Sequence, residues 1–415
     1  PISCHLLCRA QPYPFAYPAP GPLEGQGVFL FARLACPGRD WSTPGAVAIL
    51  PAAGSGRRGL GRRMAHRRPF AELDDGRAVH AHVLGDGNGL RAEVLDLGGI
   101  LARLEFPGER GPVALVLGLP DARAYFADPA YLGIVVGRFG NRIGGAACTV
   151  DGQACRVSAN EGRNHLHGGH LGFGRRLWRV AAHDPGRLEL HYHSPDGEEG
   201  YPGNLDMRAV YSLHGARLRL ELEAECDAPT PFNPTHHPYW NLAGDPAVPA
   251  AAQWLQAPTR GFLPVDGELI PLGQVAAAAG TPFDFRAART LEAAAASGHP
   301  QLEVAGGYDH CLVLEEGATT CATLYSPHSG IALRIDCDAP ALQLYDGRGL
   351  DRQHPGLGRG LCLEPQGYPD APNRPQFPDA ILRPGTRFRR VIEYRFANAG
   401  RGCAWGAVEA ALAQA

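Results

Sequence analysis

From Phe70 onward, apolar and polar residues alternate with a period of two. Leu218, Leu220 and Leu222 alternate with Arg217, Arg219, Glu221 and Glu223. Leu188, Leu190 and Tyr192 alternate with Glu189, His191 and His193, and Ile331, Leu333 and Ile335 with Arg334 and Asp336. Successive side chains of an extended chain point to opposite faces, so each run predicts a strand with one face in a core and the other in water. Further strands are expected at 91 to 106, 112 to 118, 308 to 315, 341 to 346 and 386 to 396, separated by Gly, Pro and Asn turns at short spacing. Helical spacing is scarce: Arg286 to Ala296 is the best internal helix, and Trp405 to Gln414 forms a short C-terminal one outside the strand pattern. The pattern predicts an all-β, antiparallel sandwich built as one large domain from 68 to 397, followed by an appendage from 398 to 415.

Residues 1 to 67 lack this pattern. YPFAYPAPGPLEGQG is rich in proline and glycine, GSGRRGLGRR is a basic run, and the first methionine is Met64. A segment without periodic apolar positions cannot build a core, so it is expected to be a disordered extension or a mis-assigned start.

Composition narrows the function classes. The chain has 415 residues, of which 45% are hydrophobic and 20% charged, enough to bury a large core. The net charge is −3 with no block of like charge, so neither nucleic acid nor a membrane is an expected partner. All 39 basic residues are arginine, which excludes Schiff-base chemistry and a P-loop, since both need a primary amine. The eleven cysteines form no C-x-x-C pair and are expected to be reduced, mostly buried thiols. No signal peptide opens the sequence and no apolar run is long enough to span a bilayer, so a cytoplasmic location is expected.

Four segments place proton-moving or hydroxyl-holding side chains beside turn residues. In GLCLEPQGYPDAPN, Pro365 removes a backbone donor, so regular structure is expected to end at Glu364 and to present its carboxylate on irregular backbone; a plain turn glutamate is the alternative. In NPTHHPYWNLAG, His237 stands between Pro234 and Pro238, with Tyr239 and Trp240 as an apolar wall or simply core. Histidine donates protons near neutral pH, and it also serves as a structural cap. In NHLHGG, His165 and His167 point the same way from an extended segment, and zinc is one reading although no third ligand is evident. In GRFGNRI, Asn141 and Arg142 offer an amide and a guanidinium suited to sugar hydroxyls or a carboxylate, and Asp309 in GGYDH opens a strand.

These segments, with GEEGYPG, GTPFDFR, ALQLYDG and LRPG, resemble the aldose 1-epimerases, or galactose mutarotases, in content and in order from about residue 70 to 396. The resemblance implies a large antiparallel β-sandwich whose cleft takes an aldohexose and interconverts its α and β anomers with no cofactor and no metal. It implies Glu364 as base on the C1 hydroxyl, His237 as acid on the ring oxygen, and Asn141, Arg142, His167, Asp309 and Gln343 as groups that hold the sugar hydroxyls. The partner is then a monosaccharide, and the protein a monomer or homodimer. Such chemistry needs one proton acceptor and one donor that exchange duties, which a carboxylate and an imidazole supply near neutral pH. Position 236 is His where the common pattern has Asn, and Asp346 stands where threonine is usual; register favours His237 over His236 as the acid. Two other readings remain: a sugar sensor that has lost turnover, and a glycoside hydrolase using Asp309 and Glu364 as its carboxylate pair.

Overall fold

A computed structural model describes residues 66–85, 89–109 and 111–415, so the expectation for residues 1 to 67 lies, as far as residue 65, outside the described residues. Strands dominate, and every ladder is antiparallel. The largest sheet has nine strands, in the order Arg179–Asp184, Arg187–Ser194, Leu205–His214, Arg217–Cys226, Phe388–Asn398, Ile331–Asp336, Thr320–Tyr325, Trp254–Gln256 and Arg289–Thr290. A six-stranded sheet runs Tyr239–Trp240, Leu361–Gln366, Ala341–Tyr345, Asp309–Leu314, Thr259–Phe262 and Ala276–Ala277. Five strands from His66–Glu72 to Gly111–Ala114 form a third sheet in chain order.

The period-two pattern explains the layering. Leu218, Leu220 and Leu222 of the nine-stranded sheet are buried in one cluster with Leu312, Leu342, Leu344, Leu361, Leu363 and Trp240 of the six-stranded sheet. Truncating one of these leucines to alanine would cost about 2–5 kcal/mol, because the cavity left behind collapses only in part. On the wet face of the larger sheet, opposite charges meet across strands: Arg208 with Glu223 at 2.9 Å and Arg389 with Glu221 at 2.8 Å.

Three expectations are corrected. The run 91 to 106 is two strands, Arg91–Leu95 and Leu101–Gly108, folded on each other; Gly98 and Gly99, at φ 63° and 58°, turn the chain where other residues would be strained. The helix proposed over 286 to 296 shrinks to Leu291–Ala295, because the Thr290 hydroxyl caps it by accepting from Ala293 N–H, and Arg289–Thr290 instead pairs with Trp254 and Leu255. Regular structure does not end at Glu364. The strand Leu361–Gln366 runs through Pro365, which pairs with Leu342. The Pro365 carbonyl accepts from the Thr235 hydroxyl, so the proline's missing N–H lies on the edge away from Leu342, where the pairing with Tyr239–Trp240 has already stopped at Cys362. The C-terminal helix Trp405–Gln414 buries Val408 and Leu412 against Tyr325, Ala332 and Ala397.

Candidate active site

The site is the outer face of the six-stranded sheet. Glu364 lies directly opposite Gln343, while Asp309 is opposite Tyr345, and both Tyr345 and Tyr239 are opposite Cys362. Directly opposed residues share a face. The leucines that alternate with them face the core, so the register that buries Leu361 and Leu363 also sends Glu364 to the other side. Above this floor is a cavity of about 260 Å³ lined by Asn141, Arg142, His167, His237, Asp309 and Glu364 among others. It is smaller than the roughly 300–1,000 Å³ of drug-sized ligand sites, which suits a small polar molecule.

His237 is carried in by two short ladders. Thr235–His236 pairs with Val135–Val136, and Tyr239–Trp240 pairs with Leu361 and Cys362. Between them His237 donates its N–H to the Ile134 carbonyl at 3.1 Å and accepts from Gly133 N–H at 2.9 Å, which pins the backbone. Its Nε2 stands 3.6 Å from Oε1 of Glu364. The rings of His167, Tyr239 and Tyr131 pack around it at 5.1, 5.3 and 6.3 Å.

On the opposite wall, Arg142–Ile143 pairs with His165–Leu166. Asn141 and His167 stand at φ 64° and 50°, and Tyr131 and Leu269 of the same wall at 60° and 62°. Left-handed backbone is costly away from glycine and gathers where a fold must aim side chains. Asn141 N–H donates to His167 Nδ1 at 3.2 Å. A Cβ on Gly168 would fall on the Gly137 carbonyl, so only glycine allows that close backbone approach. Glu161 accepts both Nε–H and Nη2–H of Arg142, at 2.7 and 2.8 Å, while the third nitrogen faces Asp309 at 3.6 Å.

Of the seven residues expected at the site, six line the cavity, among them Glu364 and His237, the expected acid and base pair. Gln343 is set back: it is buried, does not line the cavity, and donates to Asp309 Oδ1 at 2.7 Å. His236 faces the core, where Nδ1 meets the Tyr394 hydroxyl at 2.9 Å and Nε2 the Tyr211 hydroxyl at 3.2 Å. His165 has both nitrogens taken, by the Ser158 carbonyl at 2.7 Å and the Tyr201 hydroxyl at 2.5 Å. Asp346 lies off the cavity and accepts from Tyr308 N–H and Arg348 N–H. Sequence reasoning missed Tyr131, Arg352 and Gln353, which line the cavity from a loop and a single helical turn without periodic signal, and Tyr345, whose strand it expected without assigning the side chain to the site. It quoted Asp370 only within its motif, yet Asp370 accepts from Gly144 N–H and donates its own N–H to the Arg142 carbonyl.

The family model for aldose 1-epimerase matches residues 80–395. The chain belongs to the aldose 1-epimerase family. It is 34% identical to a galactose mutarotase of Bos taurus over 343 residues, covering 80% of this chain and 98% of that protein. It is 33% identical to an aldose 1-epimerase of Escherichia coli (strain K12), covering 78% and 96%. Among solved structures, a galactose 1-epimerase from Lactobacillus acidophilus NCFM superposes with a TM-score of 0.71 at 29% identity, over 81% of this chain and 99% of that one. An aldose epimerase homologue from C. elegans does so with a TM-score of 0.70 at 30% identity, over 77% and 99%. Aldose 1-epimerases are isomerases. Among the described residues no helix is long and apolar enough to cross a membrane.

Burial sets the electrostatics of this epimerase-family site. It raises the Glu364 carboxyl well above its ordinary range, helped by the nearby Asp309 charge and opposed by Arg142. Burial lowers His237 to about 4 and His167 well below the ordinary histidine value. Arg142 is pushed up, since Asp309 and Glu161 together outweigh its burial. Burial thus favours the neutral form of each group, the protonated carboxyl and the neutral imidazole. Glu364 Oε2 and His237 Nδ1 are buried without a hydrogen-bond partner.

His167, His237 and Glu364 place one ligand atom each within 4.8 Å of one another, the spacing of a loose metal triad. The tautomer of His167 argues against that use. Its Nδ1 accepts from Asn141 N–H, so the proton of the neutral ring sits on Nε2, leaving no free lone pair for a metal. The same tautomer makes His167 a hydrogen-bond donor. His165, the other half of the zinc reading, is sealed in the core.

Proposed function

We propose that this epimerase-family chain interconverts the α and β anomers of an aldohexose, with Glu364 and His237 as the acid and base pair. The observation that carries this reading is their placement: a carboxylate and an imidazole 3.6 Å apart at the floor of one small polar cavity. The two oxygens that exchange protons in mutarotation sit on the same carbon, so donor and acceptor must stand this close together.

Ring opening starts with Glu364 ionised and His237 protonated. The carboxylate takes the C1 hydroxyl proton, the imidazolium gives its proton to the ring oxygen, and the bond from C1 to that oxygen breaks to leave an open-chain aldehyde. After rotation about the bond from C1 to C2, His237 removes the proton from the chain hydroxyl and Glu364 returns one to the carbonyl oxygen, closing the ring on the other face. The pair carries one proton throughout. Burial draws that proton toward Glu364, and the hydroxyls of a bound sugar, donating to the carboxylate, favour the ionised form.

Arg142, Asp309, Asn141 and His167 are the groups that hold the remaining hydroxyls; Gln343 acts one step back, orienting Asp309. Asp309 is already engaged by Gln343 and faced by Arg142, which fits a binding group better than the second carboxyl of a hydrolase. The test is polarimetry on freshly dissolved α-D-galactose and α-D-glucose. Equilibration faster than buffer supports the proposal; binding of either sugar without acceleration would leave only a sensor.

A further inference from the structure

Cys148 and Cys155 stand directly opposite each other on the hairpin formed by Ala147–Val150 and Gln153–Arg156. The turn between the strands is Asp151 and Gly152, at φ 47° and 83°, a two-residue turn with both positions left-handed. In such a hairpin the pair beside the turn is hydrogen-bonded and the pairs alternate, which makes Cys148 and Cys155 a hydrogen-bonded pair as well. Their Cα atoms are then about 5.5 Å apart, within the roughly 4.4–6.8 Å that a disulfide needs. Both side chains lie on the inner face of the hairpin with Phe139, Ile143 and Tyr201, both are free, and each keeps 7% of its surface exposed.

We infer that Cys148 and Cys155 form a reversible disulfide when the protein meets a small oxidant of the peroxide class. The two thiols face each other across the hairpin. The neighbouring Cys148 thiol and the positive charge of Arg138 draw the Cys155 thiol down against its burial, while the Cys148 thiol is pushed up. Cys155 is therefore the nucleophile. Its thiolate attacks one peroxide oxygen and forms a sulfenic acid, and the departing hydroxide takes up a proton to become water. The Cys148 sulfur then attacks the sulfenic sulfur, a second water leaves with the Cys148 proton, and the disulfide closes. Two thiols and one peroxide give one disulfide and two waters, with the sulfurs oxidised by two electrons and the peroxide reduced.

The bond would lock a hairpin that supports the site. Asn373 donates to the Ala147 carbonyl at 2.9 Å and to Asp370 Oδ1 at 2.7 Å, and Asp370 N–H holds the Arg142 carbonyl at 2.8 Å. The other close pair is built differently: the Cys321 thiol donates to the backbone carbonyl of Cys337, and the two residues are not opposed in register.

The experiment exposes the full-length protein, reduced and then freed of reductant, to hydrogen peroxide, followed by alkylation, non-reducing digestion and peptide mass analysis. The expected product is a peptide linking Cys148 to Cys155, lost on treatment with dithiothreitol, and a higher Tm for the oxidised protein. In Cys148→Ser the link and the Tm rise are absent, and Cys155 is caught as a sulfenic acid by dimedone. Cys155 that stays fully alkylatable while other cysteines oxidise, or that links only to cysteines other than Cys148, would overturn the inference. Neither outcome depends on turnover.

Discussion

Nε2 of His237 stands 3.6 Å from Oε1 of Glu364, close enough for both to reach one acetal carbon's oxygens and too far for a hydrogen bond between them. Among the described residues no third charged group stands at ion-pair distance from either, and both side chains are almost completely buried. Burial therefore moves the carboxyl up and the imidazole down, and in the proposed exchange a single proton passes between them.

The pH–rate profile follows from that shared proton. Activity on kcat/KM is lost at low pH when His237 takes up a second proton, near 4 and well below the ordinary histidine value of 6.5. It is lost at high pH when Glu364 gives up the only proton, above the ordinary carboxyl value of 4.5. On the acid side polarimetric rates should fall only near 4, and the alkaline limb should lie above 4.5. An acid limb at the ordinary histidine value of 6.5 would mean that the imidazole is not desolvated.

Stability should respond to the same burial, in opposite directions for the two groups. Folded Glu364 holds its proton more tightly than the unfolded chain does, so its contribution is intact below 4.5 and is lost as pH rises toward its raised folded value. Glu364→Gln should therefore melt higher than wild type at pH 8 and close to it at pH 4. His165, His236 and His237 have lowered folded values of about 4, 3 and 4, so their neutral forms contribute fully above 6.5 and the protein weakens as pH falls below that. Calorimetric scans from pH 8 to 4 measure both trends.

Glu161 holds Arg142 by two charge-assisted bonds at one edge of the cavity. Glu161→Gln keeps an acceptor but removes the charge. The expected result is a rise in KM of roughly tenfold, corresponding to about 1.4 kcal/mol, with kcat changed far less. Steady-state mutarotation of a range of aldose concentrations separates the two parameters, and an equal fall in kcat would show that Arg142 acts in the chemical step.

His236 is bonded within the core and is expected to take no part in the proton transfer. Replacing it with phenylalanine leaves the hydroxyls of Tyr211 and Tyr394 without their imidazole partner, which costs about 1–3 kcal/mol for each group left unsatisfied. Tyr211 keeps its bond to the Gly99 carbonyl, so the larger loss falls on Tyr394. His236→Phe should unfold at lower denaturant yet turn over normally while folded.

How much was legible in the sequence depended on range. Period-two alternation revealed the strands around Leu218, Leu188 and Ile331, because burial of one face is written residue by residue. Glu364 and His237 were singled out instead by their proline-flanked motifs, and for Glu364 the structural reason differs from the one proline offers: alternation within an inner strand, with Pro365 tolerated at an unladdered edge, aims the carboxylate. Residue chemistry alone could not rank the doubled histidines, which only register with the family motif separated: His236 ends the two-residue strand Thr235–His236 and His237 follows it. Gln343 shares a face with Glu364, yet a bond to Asp309 withdraws it from the cavity, a three-dimensional choice with no local signature. Tyr131 and the helical turn that carries Arg352 and Gln353 join the wall from segments without period-two alternation.

The most direct test is a polarimetric comparison of wild type, Glu364→Gln, His237→Asn and the double variant, each verified as folded and sugar-binding. Each single substitution should lower kcat by roughly 10²–10⁴, the range of general acid–base catalysis, and the double variant should fall little further, because one missing partner already breaks the proton exchange. Single variants that equilibrate α-D-galactose and α-D-glucose as fast as wild type would contradict the assignment of the pair.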